Sequence, residues 1–318
     1  MGRNLNKNFG CSTDSSISKV LRCPSCNASS KTIIFKERKD ADNFLYCISC
    51  KAEFSQNKKD SFFLFFKGES KRRNSFLSEY NKDIYTNRNF RELILSNEIA
   101  NLKLVLKECS AKVMVDIGCG NGGYAKTLDG LYQEYYGFEP SEIPGKGAIE
   151  ESYLPKNAIL LHYNLLKNLP LHNESVDVVT FIASYDHIPD AENVVKDVYN
   201  KLKINGYLII LMQNNRFWVR QIMNRIRAEK LFKGGKGDHH YRVHSPDTLI
   251  KEIRSFVNIK VEFVRADFFF LPNLPKQLRF IYLSKNVMIL VNFLLRYFFS
   301  LISKTHIGSV MIVVFKKN

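Results

Sequence analysis

The stretch Lys112-Val-Met-Val-Asp-Ile-Gly-Cys-Gly-Asn-Gly-Gly123 decides the fold of this 318-residue chain. Its first six residues are mostly apolar and predict a buried strand. The glycines that follow allow a tight turn and let a ligand approach the backbone closely. Residues 124–131 then predict a helix. A strand, a glycine turn and a helix in this order are typical of an α/β domain that binds a nucleotide-like ligand.

Two kinds of ligand fit this turn. Gly118, Gly120 and Gly123 satisfy G-x-G-x-x-G, which also occurs in nicotinamide-binding folds. A second predicted strand, residues 135–139, ends in Glu139, about 20 residues after the first glycine, where a carboxylate binds ribose hydroxyls. Asp116 favours another ligand, because it would repel a pyrophosphate but suits an ammonium and a sulfonium. S-adenosylmethionine (SAM) carries both of these groups and no phosphate.

Residues 113–214 resemble the class I SAM-dependent methyltransferases, whose first cofactor motif matches Val115–Gly122. The resemblance implies an α/β domain with a seven-stranded Rossmann-like sheet. It also implies that Asp116 and the glycine turn border the methionine moiety and that Glu139 holds the ribose. The expected cofactor-binding residues are Asp116, Gly118, Cys119, Gly120, Gly122, Glu139, Asn164, Leu165 and Ala183.

Five further strands complete the predicted sheet. They are expected at residues 158–163, from 177 onward, and at 205–212, 259–269 and 308–315, the last of them antiparallel. A helix is expected at 191–202, and a count of seven strands favours a methyltransferase over a dehydrogenase. Asn164 stands where the family usually has an aspartate that bonds the adenine amine. Its amide oxygen can accept the same hydrogen bond, so we expect weaker cofactor binding rather than lost function.

Four cysteines near the N-terminus predict a zinc site. Cys23 and Cys26 form one C-x2-C pair, Cys47 and Cys50 form another, and 20 residues separate the pairs. Two such pairs supply four sulfurs for tetrahedral Zn²⁺. The alternative is two disulfides, which a reducing cytoplasm disfavours. A closed four-sulfur site leaves no position for substrate, so we expect a structural role.

The sequence divides into four predicted regions. Residues 1–18 form a polar tail without the apolar run of a signal peptide, and 19–60 form a zinc-ribbon-like module with a hairpin. Residues 61–110 are a linker with helices, and 111–318 are the methyltransferase domain, with a basic helical insertion at 214–245 and an apolar helical segment at 276–303. The expected compartment is the cytoplasm. The run 287–302 is interrupted by Asn292 and Arg296 and is too short to span a bilayer, but it is compatible with lying at the inner face of a membrane.

Positive charge is concentrated in the flanks of the chain. The whole chain has 47 basic and 31 acidic residues, a net charge of +16. Residues 1–110 have 20 basic and 12 acidic residues, 111–213 have 8 and 13, and 214–318 have 19 and 6. An acidic core with basic flanks indicates a partner that bears phosphate or lies at a membrane.

Three histidines are candidate general bases for an alcohol acceptor. His187 follows the fourth predicted strand, and His239 and His240 follow a glycine-rich stretch in the basic insertion. For His187 the alternative is a packing or loop-orienting role, and His239 and His240 could equally brace the site. Methyl transfer from a sulfonium is an in-line displacement, so alignment of the two reactants is the main task of such an enzyme.

The basic insertion bears on the acceptor. Between the fifth and sixth predicted strands, eight basic residues stand against Glu229 and Asp238; they are Arg216, Arg220, Arg225, Arg227, Lys230, Lys233, Lys236 and Arg242. The insertion and the four-cysteine module together resemble methyltransferases of surface-polysaccharide and sugar-modifying pathways. The resemblance implies a phosphate-bearing sugar or glycan acceptor, nucleotide-linked or lipid-linked. The alternatives are methylation of ribosomal or transfer RNA and a non-catalytic binding module.

Overall fold

The computed structural model describes most of the predicted domain and the cysteine module. The described residues are 20–36, 44–56, 63–64, 88–120, 122–140, 154–165, 167–216, 242–267, 308 and 310–318, with seven separate positions between 286 and 297. The candidate bases His239 and His240 and most of the basic insertion lie outside these residues.

A twisted sheet of eight strands forms the centre of the molecule. Numbered along the chain, its strands are β4 (Phe63–Leu64), β5 (Val113–Ile117), β6 (Glu134–Glu139), β7 (Ala158–His162), β8 (Val176–Ile182), β9 (Leu202–Gln213), β10 (Ile259–Asp267) and β11 (Val310–Lys317). Their spatial order is β10-β11-β9-β8-β5-β6-β7-β4. Strands β5 to β11 are the seven strands that the sequence predicts, so the predicted α/β sheet is confirmed.

The direction of the strands defines one functional edge of the sheet. Strands β5 to β9 are parallel, whereas β11 is antiparallel to both β9 and β10, as expected. The carboxyl ends of the parallel strands therefore meet at the same edge, which we call the carboxyl edge. In open α/β sheets this edge is where ligands bind.

The central strands of the sheet are buried on both faces, which explains their sequence. All five residues of β5 and all five of β7 are buried, and both strands are almost entirely apolar. Parallel strands covered by helices have such continuous apolar runs rather than alternation. Asp116 is the exception in β5, because it is a carboxylate with no exposed surface.

Among the described residues, four α-helices with defined bounds accompany the sheet: α1 (Arg88–Cys109), α2 (Gly123–Thr127), α3 (Ala191–Lys201) and α4 (Pro246–Phe256). The side chain of Asp190 caps α3, and Ser245 and Thr248 form a reciprocal capping box at the start of α4. Helix α2 ends four residues before the predicted position. The chain turns there at Gly130, which has φ of +83° and donates its amide to the side chain of Asp129.

The four-cysteine module is a small three-stranded antiparallel sheet. It consists of β1 (Ile33–Lys36), β2 (Phe44–Cys47) and β3 (Glu53–Ser55), in that order. The predicted hairpin is present as β1 and β2, whereas β3 and β4 have no counterpart among the predicted strands. β4 belongs to the predicted linker and pairs in parallel with β7, so the linker extends the central sheet.

The module packs directly on the domain that contains the central sheet. Leu21 forms an antiparallel bridge with Leu171, and both residues are fully buried. The amide of Arg22 donates to the carbonyl of Pro170 at 2.7 Å, and the amide of His172 donates to that of Val20 at 2.9 Å. Module and domain therefore share one hydrophobic core.

Two long connections begin and end at the carboxyl edge. Val310 at the start of β11 pairs with Gln213 at the end of β9 and with Asp267 at the end of β10. The basic insertion after β9 and the segment between β10 and β11 therefore both leave the sheet there. Within the described part of the chain, no helix combines the length and the apolarity needed to cross a membrane.

Candidate active site

The glycine turn leads from β5 into α2 and is hydrogen-bonded to the carboxyl end of β6. The amide of Gly118 donates to the carbonyl of Phe138 at 2.7 Å, and that of Cys119 donates to the same carbonyl at 3.2 Å. Gly118, Gly120 and Gly122 all have positive φ, which favours glycine. The turn is thus held against the end of the neighbouring strand.

Steric constraint differs between the glycines of this turn. A Cβ atom at Gly118 would lie 2.6 Å from Cβ of Ser184, and one at Gly122 would lie 2.5 Å from a methyl carbon of Leu160. A Cβ at Gly120 would meet nothing within 4 Å. The tip of the turn at Gly120 is therefore exposed to open space, where a ligand can reach the backbone.

Glu139 closes the turn from the end of β6. Its side chain is only 8% exposed, and its Oε2 accepts a hydrogen bond of 3.0 Å from the amide of Gly120. Glu139, the residue expected to bind the ribose, thus lies against the exposed tip of the glycine turn, although it is 19 residues from Gly120 in the sequence. A carboxylate at this position can accept hydrogen bonds from the two hydroxyls of a ribose.

Asp116 was expected to border the methionine moiety, but its side chain is completely buried below the glycine turn. Its Oδ2 accepts from the hydroxyl of Tyr135 at 2.7 Å, and its Oδ1 accepts from the hydroxyl of Thr180 at 2.8 Å. Burial raises the pKa of Asp116 to about 6, and these two hydrogen bonds oppose that shift. The carboxylate thus links β5 to β6 and β8 immediately below the turn.

The remaining predicted cofactor residues lie at the ends of β7 and β8. Asn164 and Leu165 follow β7, with Asn164 half-buried and Leu165 buried. Ala183 follows β8, is exposed, and has a φ of +51°. Its neighbour Ser184 was not predicted from the sequence, and its hydroxyl donates to the carbonyl of Ile117 at 2.5 Å, fixing this loop against β5.

His187 lies in a short 3₁₀ turn, Tyr185–His187, after β8. Its side chain is 22% exposed, and its Nε2 lies 3.8 Å from Oδ1 of the buried Asp186. The ring is therefore partly accessible at the carboxyl edge and stands next to a carboxylate that can orient it. Its role as a base stays a prediction.

A partly buried polar cluster beside His187 was not predicted from the sequence. The carboxylate of Glu252 accepts from the hydroxyl of Tyr185 at 2.7 Å and lies 3.2 Å from Nε of Arg242. Nε2 of His244 lies 3.2 Å from Oε2 of Glu252. Burial lowers the pKa of His244. Tyr185 and Glu252 are 67 residues apart, so no local pattern in the sequence could indicate the cluster.

This cluster changes the interpretation of the basic insertion. Arg242 pairs with Glu252 and also donates to the carbonyls of Ile188 and Pro189, while Arg216 pairs with Asp247. Both acids lie outside the insertion. Two of the eight basic residues are thus paired, and they hold the two ends of the insertion against helix α4. The other six lie outside the described residues.

The four predicted metal ligands lie together. All four sulfurs lie within 4.8 Å of one another, with separations of 3.7 Å between Cys23 and Cys50 and between Cys26 and Cys47. Zinc–sulfur bonds of about 2.3 Å in a tetrahedron place sulfurs about 3.8 Å apart. A disulfide would need about 2.05 Å, and the four cysteines are free thiols. The donor set fits a tetrahedral metal ion.

The strand order and the glycine turn together define a class I methyltransferase fold. Residues 115–210, less than half of the chain, match the family described as "Methyltransferase domain". Among solved structures, a SAM-dependent methyltransferase of Thermotoga maritima aligns with a TM-score of 0.50 at 18% identity. The alignment covers 77% of this chain and 98% of that protein. This likeness concerns the fold.

The similar curated proteins include ubiquinone biosynthesis O-methyltransferases. The one from Haemophilus ducreyi is 30% identical over 142 residues, which are 41% of this chain and 57% of the relative. The one from Shewanella sp. (strain ANA-3) is 24% identical over 136 residues, 41% of this chain and 56% of the relative. The chain thus spans about half the length of the curated relatives it matches.

Proposed function

We propose that the protein is a SAM-dependent methyltransferase. The observation that carries this proposal is the pairing of Glu139 with the amide of Gly120 at the exposed tip of the glycine turn. It brings a ribose-binding carboxylate next to a backbone that a ligand can approach. The match of residues 115–210 to a methyltransferase domain supports the same activity.

Each cofactor-binding residue has a role that follows from its position. Glu139 binds the ribose hydroxyls, and Asn164 and Leu165, after β7, border the adenine. Gly118, Cys119, Gly120, Gly122 and Ala183 line the methionine side with their backbone. Asp116 acts through Tyr135 and Thr180, because both its oxygens already accept hydrogen bonds from them.

SAM supplies an electrophilic methyl group on a positively charged sulfur. Transfer of this methyl group to an acceptor atom would leave the sulfur as a neutral thioether. The protein therefore has to align the two reactants and, for a hydroxyl acceptor, remove its proton. We assign that proton to the imidazole of His187, with His239 and His240 as further candidates. The names of the curated relatives support oxygen as the acceptor atom.

The metal is proposed to be structural zinc, held by Cys23, Cys26, Cys47 and Cys50. Four thiolates leave no open coordination position, so the ion cannot activate a substrate. Two of the four ligands, Cys23 and Cys47, are buried in the core that the module shares with the methyltransferase domain. The ion would therefore stabilise the module and its contact with the domain.

The proposed acceptor is a phosphate-bearing sugar or glycan, bound in the cytoplasm. Six basic residues of the insertion have no acidic neighbours in the sequence besides Glu229 and Asp238. Arg216 and Arg242 hold the ends of that insertion at the carboxyl edge, beside the predicted cofactor site. Several charges converging on a diphosphate can contribute about 1.5–3 kcal/mol each, whereas isolated surface charges contribute about 0–1 kcal/mol.

The test is methyl transfer from labelled SAM to nucleotide-linked sugars, lipid-linked sugars, the same sugars without phosphate, and transfer or ribosomal RNA. Replacing Arg220, Arg225 and Arg227 by Gln should raise KM for a phosphate-bearing sugar and leave SAM affinity unchanged. The matched control replaces the exposed Lys103, Lys251 and Arg254 by Gln and should change neither quantity. Equal turnover of a phosphate-free sugar would contradict the proposal. RNA methylation that the Arg variant abolishes would favour the RNA alternative.

A further inference from the structure

An apolar helical surface lies in the connection between β10 and β11. Every described residue between positions 286 and 297 is helical and exposed. Six of these seven residues are large and apolar, with exposed fractions from 41% to 63%. They form what we call the apolar helix face: Val287, Ile289, Leu290, Phe293, Leu294 and Tyr297.

The six residues of the apolar helix face lie on one side of the helix. At about 100° per residue, its six residues fall within a stripe about 160° wide. In a soluble domain such a stripe normally faces the core, but these side chains are exposed to solvent. An exposed apolar patch of this kind is typical of a surface that binds a membrane or another protein.

The charge of the surrounding sequence indicates what covers it. Between Asp267 and Val310 the chain contains no acidic residue, but it contains Lys276, Arg279, Lys285, Arg296 and Lys304. An apolar helix face within a basic, acid-free segment complements an anionic lipid surface. A second copy of the chain fits less well, because two chains of net charge +16 repel each other and each would present the same basic segment.

The position of the segment relates this face to the candidate active site. Asp267 and Val310, which border the connection, pair with each other, and Val310 also pairs with Gln213 at the carboxyl edge. The side-chain amide of Asn214 donates to the carbonyl of Gly308 at 2.7 Å. The connection is therefore attached to the same edge as the glycine turn and Glu139.

We propose that the apolar helix face binds the surface of an anionic membrane and holds the carboxyl edge of the sheet near that surface. Apolar side chains enter the boundary between headgroups and acyl chains, and the basic residues bind lipid phosphates. The lipid contact is independent of the acceptor. That it brings the enzyme to a lipid-borne acceptor rests on the function proposed above.

The test is co-sedimentation of the full chain with vesicles of phosphatidylcholine alone and of phosphatidylcholine mixed with phosphatidylglycerol. We expect retention on the mixed vesicles that weakens as salt is added. The variant Leu290→Ser, Phe293→Ser, Leu294→Ser should partition at least tenfold less. The matched control Leu104→Ser, Ile204→Ser, Phe263→Ser replaces apolar residues that are exposed elsewhere and should bind like the wild type.

Three results would overturn this inference: no retention of the wild type, equal retention on both kinds of vesicle, or equal retention of the face variant and the control. If the wild type is a dimer in solution and the Leu290→Ser, Phe293→Ser, Leu294→Ser variant is a monomer with unchanged vesicle binding, the apolar helix face binds a second copy of the chain instead. Circular dichroism shows whether each variant folds. Calorimetry with SAM on the same variants should give the wild-type affinity, so failed lipid binding and failed cofactor binding can be told apart.

Discussion

Asp116 shows how one buried carboxylate joins three strands. It pairs in register with Gly137 of β6 and with Thr180 of β8, and its side chain binds the hydroxyls of Tyr135 and Thr180. Its spacing from the glycines is visible in the sequence. Its partners are not, because they depend on the register of strands that are up to 64 residues apart.

The raised pKa of Asp116 has a consequence for stability. Its folded-state pKa of about 6 exceeds the ordinary value of 3.8, mainly because of burial. Between these two values the folded state binds more protons than the unfolded state, so this group reduces stability as pH rises. The polar groups that act on its pKa are Tyr135 and Thr180, whose hydrogen bonds lower it, and Glu139, whose charge raises it.

Asp116→Asn removes this titration while keeping the size of the side chain. We expect the variant to gain stability relative to the wild type as pH rises from about 4 to 7, by an amount on the order of 3 kcal/mol. Urea denaturation at a series of pH values measures the difference. The control is Asp190→Asn, which makes the same substitution at the exposed cap of α3. A constant difference for Asp116→Asn would contradict the shift.

At the scale of elements, the sequence indicates β5 to β9 and β11 by largely apolar runs, and β10 by a stretch in which apolar and charged residues are mixed. The two-residue strand β4 has no such pattern, since its pairing with β7 depends on where the linker lies. The reciprocal contacts of Arg242 and Arg216 with α4 were likewise not predictable. Their partners Glu252 and Asp247 follow the insertion and are brought to it only by the fold.

The contact between the cysteine module and the domain leads to a prediction about metal loss. Leu21 packs with Leu171 in the segment that follows β7, where Leu165 is expected to border the adenine, and all three belong to one core. A double variant Cys26→Ser, Cys50→Ser should lose its metal and unfold the module. Because the module supports that segment, SAM affinity should also fall.

Metal analysis, circular dichroism and calorimetry of this variant give the three readouts. The matched control is Cys109→Ser, which changes a half-buried cysteine outside the metal cluster and should keep one zinc per chain. Two disulfides and no metal in freshly purified protein would refute the zinc assignment. Metal loss with unchanged SAM affinity would show that the module does not support the cofactor segment.

At the scale of the whole molecule, several independent features converge on one edge of the sheet. The glycine turn, Glu139, His187 and the ends of both long connections all lie at the carboxyl edge. The basic excess of residues 214–318, 19 against 6, follows the acidic core in the sequence. The separation of an acidic core from a basic flank is what we expect if the core binds a cationic cofactor and the flank binds phosphate.

Calorimetry of SAM binding to the full chain tests the central claim most directly. We predict one SAM per chain, and at least a tenfold loss of affinity in Glu139→Ala, equivalent to about 1.4 kcal/mol. Glu134→Ala, at the opposite end of β6, should bind SAM like the wild type. A wild type that does not bind SAM, or a Glu139→Ala variant with unchanged affinity, would contradict the assignment of this edge as a SAM site.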